Sequence, residues 1–383
     1  MDSVALLSHR FGNIGHLFMA IGVEHIARKA FGSQVFVHHF EQHRPFDIHS
    51  TWHPLRLFNR LPVSKTGLIK KIMASEHMQR VSWQTNRDLK FQMAIACGGP
   101  NIVPGASSVP EIRLLLHHMN GAFTRQGVPF ADIGVGACLP IESNSLSLFN
   151  EEDRAFYKKA FDLVDVLSVR DKNAQKFCEE LNVKAKLIPC AAIASGFSLE
   201  RYDSNVAESD SFILINFMEK GANEDWGQNV DAEKWFQTVK TTVKDLQKRH
   251  KIKLIAHSRR EEEIGARIMP DAPCVWPKNL EEYANYISGA KVGLVSRIHA
   301  AIPLAGIGVP SVVIGTDSRL DTVEQMGLPS FYVKDVSPEK MIESVELLVE
   351  KRLSEKLRLK CLRDSVVESY REVLLSISST TTD

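Results

Sequence analysis

The sequence predicts an α/β protein built from two doubly wound, Rossmann-like domains in tandem, followed by a C-terminal helical segment. Strands and helices alternate along the chain, and this alternation restarts after a polar stretch. A length of 383 residues also exceeds what one hydrophobic core usually serves. Alternating strands and helices favour parallel sheets with right-handed crossovers. We therefore expect domains over 1–196 and 211–336, and helices over 337–376.

The first half begins with a short apolar strand, VALLS (4–8), and a helical pattern that continues to Phe31-Gly32. Residues 197–210 are polar and have no clear period, so we interpret them as the linker. Between these limits, apolar runs predict strands at 34–38, 90–96, 130–136, 165–169 and 185–189, and amphipathic stretches predict helices at 110–126, 151–163 and 172–182.

The alternation restarts with the strand SFILINF (211–217) and a long amphipathic helix at 231–249. Pro303 lies inside one of the predicted helices and should kink or shorten it. Ser337-Pro338-Glu339 is typical of a helix start, with a capping hydroxyl and a proline at the first helical position. The remaining strands are predicted at 252–257, 274–276, 291–295 and 311–315, and the remaining helices at 259–268, 279–288 and 298–307.

The composition indicates a soluble globular protein, with 44% hydrophobic and 24% charged residues. A net charge of +1 gives no electrostatic reason to expect nucleic acid or an anionic membrane as the main partner. The N-terminus has no signal-peptide pattern, and Arg297, His299 and two prolines argue against a membrane span at 292–315. Six scattered cysteines without a CxxC pair are typical of reduced thiols. We therefore expect a cytoplasmic protein.

One apolar run, VGLVSRIHAAIPLAGIGVPSVVIG (292–315), is interrupted by a guanidinium and an imidazole. Ser296 ends a predicted strand, and Arg297 and His299 begin the next helix. Ligands of doubly wound sheets bind at this end of the strands, where helix N-termini favour anions. Arginine can bind phosphate or carboxylate through two hydrogen bonds, and histidine can donate a proton near neutral pH. Alternatively, Arg297 is a surface arginine and His299 a capping histidine at an ordinary turn between strand and helix.

Four segments resemble the polysaccharide pyruvyl transferase family in the same order along about 300 residues. The run SRIHAAIPLAGIGVPSVVIG resembles the signature of that family. LSVRDKNAQKFCEELNV (167–183) is similar to its S-x-R-D turn, and FGNIGHLFMAIGVEHI (11–26) to its Gly-Asn-x-Gly-Asp loop. CGGP (97–100) stands where the family has a glycine-rich turn.

The resemblance implies a fold like that of B-type glycosyltransferases. It also implies transfer of the enolpyruvyl group of phosphoenolpyruvate to two hydroxyls of a sugar, with formation of a ketal and release of phosphate. Phosphoenolpyruvate would be the donor substrate, on the side of the second domain, and a saccharide or glycan would be the acceptor, on the side of the first. Neither a cofactor nor a metal is expected. A homo-oligomer is compatible with the sequence.

In this chemistry, His299 would be the general acid that protonates C3 of the donor. Arg297 would hold the anion and stabilise charge as phosphate leaves. Arg170 could reach the cleft from the first domain, or could instead pair with Asp171 and brace the turn. The full set of candidate substrate-binding residues is Ser296, Ile298, Arg170, Gly12, Asn13, Gly15 and His257.

The chain departs from the family pattern at two positions. His16 stands where the family has aspartate, and a neutral imidazole there could act as the base for the acceptor hydroxyl. The change could equally mark a different acceptor or a changed reaction. Cys190-Ala191 replaces Asp-Pro, and we expect Cys190 to be a small buried residue. Two alternatives stay open: a glycosyltransferase of the same fold that uses a nucleotide sugar, and a catalytically silent sugar-binding protein.

Two further features invite a metal or nucleotide interpretation. HHFEQHRPFDIHSTWH (38–53) contains five histidines but lacks a convincing ligand spacing, so we expect a polar loop over the cleft, with Trp52 near the sugar. RFGNIG (10–15) lacks the third glycine of a dinucleotide-binding fingerprint. We expect it to be a backbone turn that lines the acceptor site.

Overall fold

A computed structural model describes residues 3–9, 14–42, 44, 90–143, 145–202, 210–222 and 226–378. It contains two six-stranded sheets, and every strand pair within them is parallel. Helices flank both sheets, so the predicted α/β fold class with two doubly wound sheets is confirmed.

The first sheet has the strand order β2-β1-β3-β4-β5-β6. Its strands are β1 (Ser3–Ser8), β2 (Phe36–Glu41), β3 (Met93–Cys97), β4 (Phe130–Val135), β5 (Val166–Val169) and β6 (Ala185–Leu187). The helices of this half are α1 (Ile14–Phe31), α2 (Pro110–Arg113), α3 (Asn120–Thr124), α4 (Glu151–Phe161), α5 (Lys172–Glu180) and α6 (Gly196–Leu199). A π-helical stretch, Leu114–Met119, joins α2 to α3.

The second sheet has the strand order β12-β11-β10-β7-β8-β9. Its strands are β7 (Phe212–Asn216), β8 (Lys251–Ile255), β9 (Cys274–Val275), β10 (Ala290–Val295), β11 (Ser311–Gly315) and β12 (Ser330–Tyr332). Its helices are α7 (Ala232–Leu246), α8 (Arg259–Ile268), α9 (Leu280–Ile287), α10 (Ile298–Gly306) and α11 (Leu320–Glu324). The C-terminal segment forms α12 (Pro338–Glu350) and α13 (Arg352–Ser378), as predicted.

Local chemistry explains where many helices begin. A side chain just before the first turn accepts a hydrogen bond from a backbone N–H three residues later, which satisfies one of the unpaired donors of the helix. Ser337 does this for α12, with Pro338 following as the sequence indicated. The other caps of this kind are Asn150, Asp171, Asp231, Ser258 and Asn279.

Three details differ from the sequence pattern. β12 and α11 were not predicted, because three to five residues are too short to show a period. Pro303 does not end its helix, since α10 continues to Gly306. The stretch interpreted as a linker begins with α6 and a 3₁₀ turn, Glu200–Tyr202, and its residues 203–209 lie outside the described part.

Two glycines allow the halves to pack closely. The 3₁₀ segment Ala191–Ser195 lies against both α1 and α10. A Cβ atom on Gly196 would collide with the backbone of Gly306, and a Cβ on Gly306 would collide with the carbonyl oxygen of Ile193. The absence of side chains at these two positions therefore lets α10 of the second half touch the first half.

A short antiparallel bridge, Pro140 with Asp317, also joins the halves. The amide of Ser318 donates to the carbonyl of Leu139 (2.8 Å), and the amide of Leu139 donates to Oγ of Ser318 (3.0 Å). The last helix, α13, then returns to pack on α1 and on the 191–195 segment. Among the described helices, none is both long and apolar enough to cross a lipid bilayer.

Candidate active site

A cleft that is open to solvent lies between the two halves and combines residues from both. The first half contributes His16, Pro100 and Arg170. The second half contributes Met218, Gly221, Ala222, Ser296, Arg297, Ile298, His299, Gly315, Asp317, Arg319 and Leu320. Most of these residues follow the carboxyl ends of parallel strands, where doubly wound sheets bind ligands.

The structure brings six of the sequence-predicted site residues together. His16, Arg170, Ser296, Arg297, Ile298 and His299 all line the cleft. Gly15 is buried in the first turn of α1 and does not line it, and His257 lies behind it. Gly12 and Asn13 fall outside the described residues, so their predicted role in the acceptor loop stays a prediction.

Arg170 follows β5, and its side chain is 0% exposed. Its Nη1 lies 3.8 Å from Sγ of Cys190, while Nε and Nη2 have no hydrogen-bond partner among the described residues. Buried donors without hydrogen bonds cost free energy, because they have lost their water. Since Arg170 also lines the cleft, it provides a buried cation with hydrogen bonds to give to an anionic ligand.

The alternative that Arg170 pairs with Asp171 to brace its turn is supported by charge alone: burial raises the pKa of Asp171, and the nearby Arg170 charge opposes that rise. The Asp171 carboxylate accepts the amide of Ala174 (2.8 Å) and caps α5, and it also accepts the amide of Ala137 (2.9 Å). Within the described part of the chain, no ion pair joins the two side chains.

Arg297 precedes α10, and a carboxylate compensates its charge. Its Nε donates to Oε1 of Glu261 (2.8 Å), and its Nη2 contacts the same oxygen. The Asn216 side chain supports both partners, accepting the amide of Arg297 (3.1 Å) and donating to Glu261 (2.9 Å). Burial raises the pKa of Glu261, but the Arg297 charge and these hydrogen bonds outweigh it, so the pKa is lowered and the carboxylate stays ionised.

His299 is the second residue of α10 and is half-buried. Its Nε2 is buried without a hydrogen-bond partner in the described residues. Burial lowers the pKa of His299 well below its usual range, and the positive potential of Arg170 and His16 adds to the effect. The imidazole is therefore neutral at pH 7 in this structure, and it needs a nearby anion before it can hold a proton.

Sequence reasoning missed Arg319, which lines the cleft just after β11. Its Nε and Nη2 donate to the two oxygens of Asp317 at 2.7 and 2.6 Å. This bidentate pair compensates the arginine and holds it beside the bridge between the halves. Its position after the carboxyl end of a strand was the signal that could have identified it.

His257 and Cys190 are both buried, and neither lines the cleft. Burial lowers the pKa of His257 to about 3. Its amide donates to Glu261 (3.0 Å), which links it to the Glu261–Arg297 pair at the cleft. Cys190 is a small buried residue, as expected, and its Sγ lies 3.4 Å from Sδ of Met19.

His16 lies in the first turn of α1 and lines the cleft on the side of the first half. Its ring centroid is 4.2 Å from that of His9, which follows β1. Nδ1 of His9 in turn lies 2.8 Å from Oε1 of Glu41 at the end of β2. The sequence did not indicate that these three side chains meet.

Within the described residues, no group of three or more histidine, cysteine, aspartate or glutamate side chains is placed to hold a metal ion. Most of the histidine-rich segment beyond Gln42, including Trp52, lies outside the described part. The interpretation of 38–53 as a loop over the cleft is wrong for residues 38–41, which belong to β2, and it stays a prediction for the residues outside the described part.

Comparison with known proteins gives a family and a fold. The sequence model of the polysaccharide pyruvyl transferase family matches residues 13–318. Among curated protein sequences, none matches this chain significantly.

Solved structures that resemble the chain have the same two-domain architecture. UDP-GlcNAc 2-epimerase from Neisseria meningitidis, bound to UDP-GlcNAc, has a TM-score of 0.57 at 12% identity, covering 96% of this chain and 99% of that one. The enzyme of the same name from Methanocaldococcus jannaschii has a TM-score of 0.53 at 13% identity, with 92% and 93% covered. The glycosyltransferase of kitacinnamycin has a TM-score of 0.51 at 13% identity, with 99% and 98% covered. These likenesses show a fold of the B-type glycosyltransferase kind.

Proposed function

Because the chain belongs to the polysaccharide pyruvyl transferase family, which is a family of transferases, we propose that it transfers the enolpyruvyl group of phosphoenolpyruvate. The acceptor is a saccharide that offers two hydroxyl groups. The products are a cyclic pyruvate ketal and inorganic phosphate, and no cofactor takes part.

The observation that carries this proposal is the buried Arg170 side chain. It lines the cleft with two guanidinium nitrogens that have no partner among the described residues. Phosphoenolpyruvate carries a phosphate and a carboxylate, and a guanidinium binds either group through two parallel hydrogen bonds. Arg297 and Arg319 line the same cleft, but each is already held by a carboxylate. Arg170 is therefore the arginine that we assign to the donor anion.

The reaction balances with two hydroxyl groups and one enol phosphate. The first hydroxyl oxygen adds to C2 of the donor, C3 gains a proton and becomes a methyl group, and the C2–O bond to phosphate breaks with its electron pair going to the phosphate. The second hydroxyl oxygen then forms the other C2–O bond. Of the two hydroxyl protons, one replaces the proton given to C3 and the other leaves with the phosphate.

His299 is the residue that we assign to protonate C3. Its imidazole is neutral in this structure because burial and the Arg170 charge lower its pKa. The negative charges of a bound phosphoenolpyruvate favour the protonated form. The acid would therefore be charged by the binding of its own substrate, and Arg297 would keep the start of α10 fixed through Glu261 and Asn216.

His16 is the residue that we assign to take the proton of an acceptor hydroxyl. It lines the cleft from the first half, in the first turn of α1, and α1 packs against α10. A histidine can replace the aspartate of the family here because a neutral imidazole is also a general base.

A nucleotide-sugar transferase is the second candidate, since one of the similar structures binds UDP-GlcNAc and a diphosphate could also contact Arg170. Ligand binding raises the melting temperature according to the logarithm of ligand concentration over Kd. We expect phosphoenolpyruvate to stabilise the protein more than UDP-GlcNAc does.

The decisive assay measures phosphate release from phosphoenolpyruvate across a panel of glycans, with mass spectrometry of the ketal product. Stabilisation by UDP-GlcNAc alone would favour the second candidate. Binding of glycans without turnover of either donor would indicate a silent sugar-binding protein.

A further inference from the structure

His9 and Glu41 form a paired histidine and carboxylate directly behind His16. Nδ1 of His9 is 2.8 Å from Oε1 of Glu41, and the two side chains are only 16% and 10% exposed. The His9 and His16 rings are tilted by 54° with centroids 4.2 Å apart, so they are in van der Waals contact.

The sheet explains why these residues meet. β1 and β2 are neighbouring parallel strands with Ser8 opposite Glu41, and His9 follows Ser8. His9 and Glu41 therefore both lie at the carboxyl ends of these strands. Gln42 ties the strands together beyond that point, since its amide donates to the carbonyl of Ser8 (3.0 Å) and its Nε2 to that of Leu7 (3.2 Å). The pair is therefore anchored on rigid backbone.

We propose that His9 and Glu41 are positioning residues for His16 in the transfer reaction. Glu41 fixes the His9 ring, and the His9 ring fixes the orientation of the His16 ring toward the cleft. When His16 takes a hydroxyl proton it becomes an imidazolium, and the Glu41 carboxylate stabilises that charge from one ring away. This inference rests on the proposed function, because it assigns a support to the base of that reaction.

A carboxylate behind a histidine is common in catalytic sites, because it holds the ring and favours its charged form. Here the carboxylate acts through an intervening ring, so the effect should be smaller than the loss of the base itself. The effect of Glu41 should appear in the rate of the chemical step and not in donor binding. The reason is that we assign the donor anion to Arg170, which follows a different strand.

The chain supplies a matched control. His39 and Glu24 form a second histidine–carboxylate pair, with Nε2 of His39 3.2 Å from Oε2 of Glu24 and exposed fractions of 20% and 29%. It joins β2 to α1, whereas the His9–Glu41 pair joins the ends of β1 and β2, and neither His39 nor Glu24 lines the cleft. A merely structural role for Glu41 predicts the same outcome for both pairs.

The test compares Glu41→Gln, Glu41→Asp and His39→Gln with the wild type in the phosphate-release assay. We expect Glu41→Gln to lower kcat about tenfold or more while KM for phosphoenolpyruvate stays within about twofold. Glu41→Asp keeps the charge and should recover part of the rate, and His39→Gln should leave both constants near the wild-type values. Melting temperatures show whether each variant is folded.

Equal kcat values for Glu41→Gln and His39→Gln would overturn the inference while leaving the proposed function in place. A rise in KM without a fall in kcat would also overturn it, because the pair would then serve donor binding. If the wild type releases no phosphate with any acceptor, the proposed function itself fails, and the role of His9 and Glu41 fails with it.

Discussion

Gly136 and Arg170 lie side by side after neighbouring strands, and the glycine leaves the space that the arginine fills. A Cβ atom on Gly136 would be 2.5 Å from Nε of Arg170 and 2.8 Å from Oδ2 of Asp171. Both neighbouring atoms belong to side chains, so an added methyl group would displace them rather than the backbone. The missing side chain at 136 therefore sets where the buried guanidinium lies.

Replacing Gly136 with alanine should weaken phosphoenolpyruvate binding about tenfold or more, because a guanidinium shifted by even 1 Å no longer matches its anion. Isothermal titration calorimetry measures the change. Arg170→Ala in the same assay gives the loss expected when the guanidinium is removed altogether. Unchanged affinity in Gly136→Ala would show that the position of Arg170 does not matter for the donor.

Arg170→Met should stabilise the protein without ligand while abolishing its stabilisation by phosphoenolpyruvate. Nε and Nη2 of the buried wild-type guanidinium have no hydrogen-bond partner among the described residues, and an apolar side chain of similar length removes the cost of leaving these donors unpaired. We expect a gain on the order of 1–3 kcal/mol in the free energy of unfolding. Urea denaturation with and without phosphoenolpyruvate measures both effects, and a loss of stability in the free protein would contradict the first.

Arg297→Met should have the opposite effect on stability. Arg297 and Glu261 are 12% and 5% exposed, so removing the arginine leaves a buried carboxylate without its counter-ion. Breaking such a pair costs about 3–5 kcal/mol. The double variant Arg297→Met with Glu261→Gln should recover much of this loss. Equal stability of the single and double variants would show that the pair is not coupled.

Acid should destabilise the protein through His257. Its pKa is lowered to about 3 by burial, so below pH 6.5 the unfolded chain binds a proton there that the folded chain does not. The contribution of His257 to stability is therefore lost as pH falls from about 6.5 toward 3. Over this range the free energy of unfolding decreases by about 1.4 kcal/mol per pH unit. His257→Phe should flatten the dependence of unfolding free energy on pH by this slope. Above pH 7 the unfolding free energy of this variant should depend on pH as that of the wild type does. If the variant and the wild type have the same slope between pH 4 and 6, His257 is not the responsible group.

Binding of phosphoenolpyruvate should be accompanied by proton uptake. The pKa of His299 lies well below its usual range because of burial and the Arg170 charge, and the donor anion reverses this balance. Calorimetry at pH 7.5 in two buffers with different ionisation enthalpies measures the protons taken up. His299→Gln should reduce the uptake by up to one proton. The same uptake in both proteins would assign the proton to another group.

The sequence was sufficient to predict that the strand ends before Arg170 and Arg297 line the cleft, but it predicted neither Arg319 after β11 nor the side-chain pairs at the cleft. Ser296, Arg297 and His299 were recognisable because polar residues interrupt an apolar run at the start of a helix. The Arg297–Glu261 pair was not, because Glu261 lies in the acidic run RREEE, which is typical of a solvated helix face.

Which strand ends become neighbours depends on sheet order, and alternation alone does not determine that order. In the second sheet the strand order β10-β7-β8 brings Asn216, Glu261 and Arg297 together, although these residues are far apart along the chain. The pairing of β1 with β2 does the same for His9 and Glu41. The family motifs identified Arg170 and His16. The side chains that lie next to these two residues became known only from the structure.

The return of the last helix to the first half has a consequence for biosynthesis. The side chains of Val366, Tyr370, Val373 and Leu374 are buried in the same core as α1 and the 191–195 segment. A nascent chain that has completed only the first half therefore still exposes apolar surface on α1, which is covered only after residue 374 has left the ribosome. The first half therefore completes its folding only when the C-terminal helix has been synthesised. Until then its exposed apolar surface is of the kind that chaperones bind.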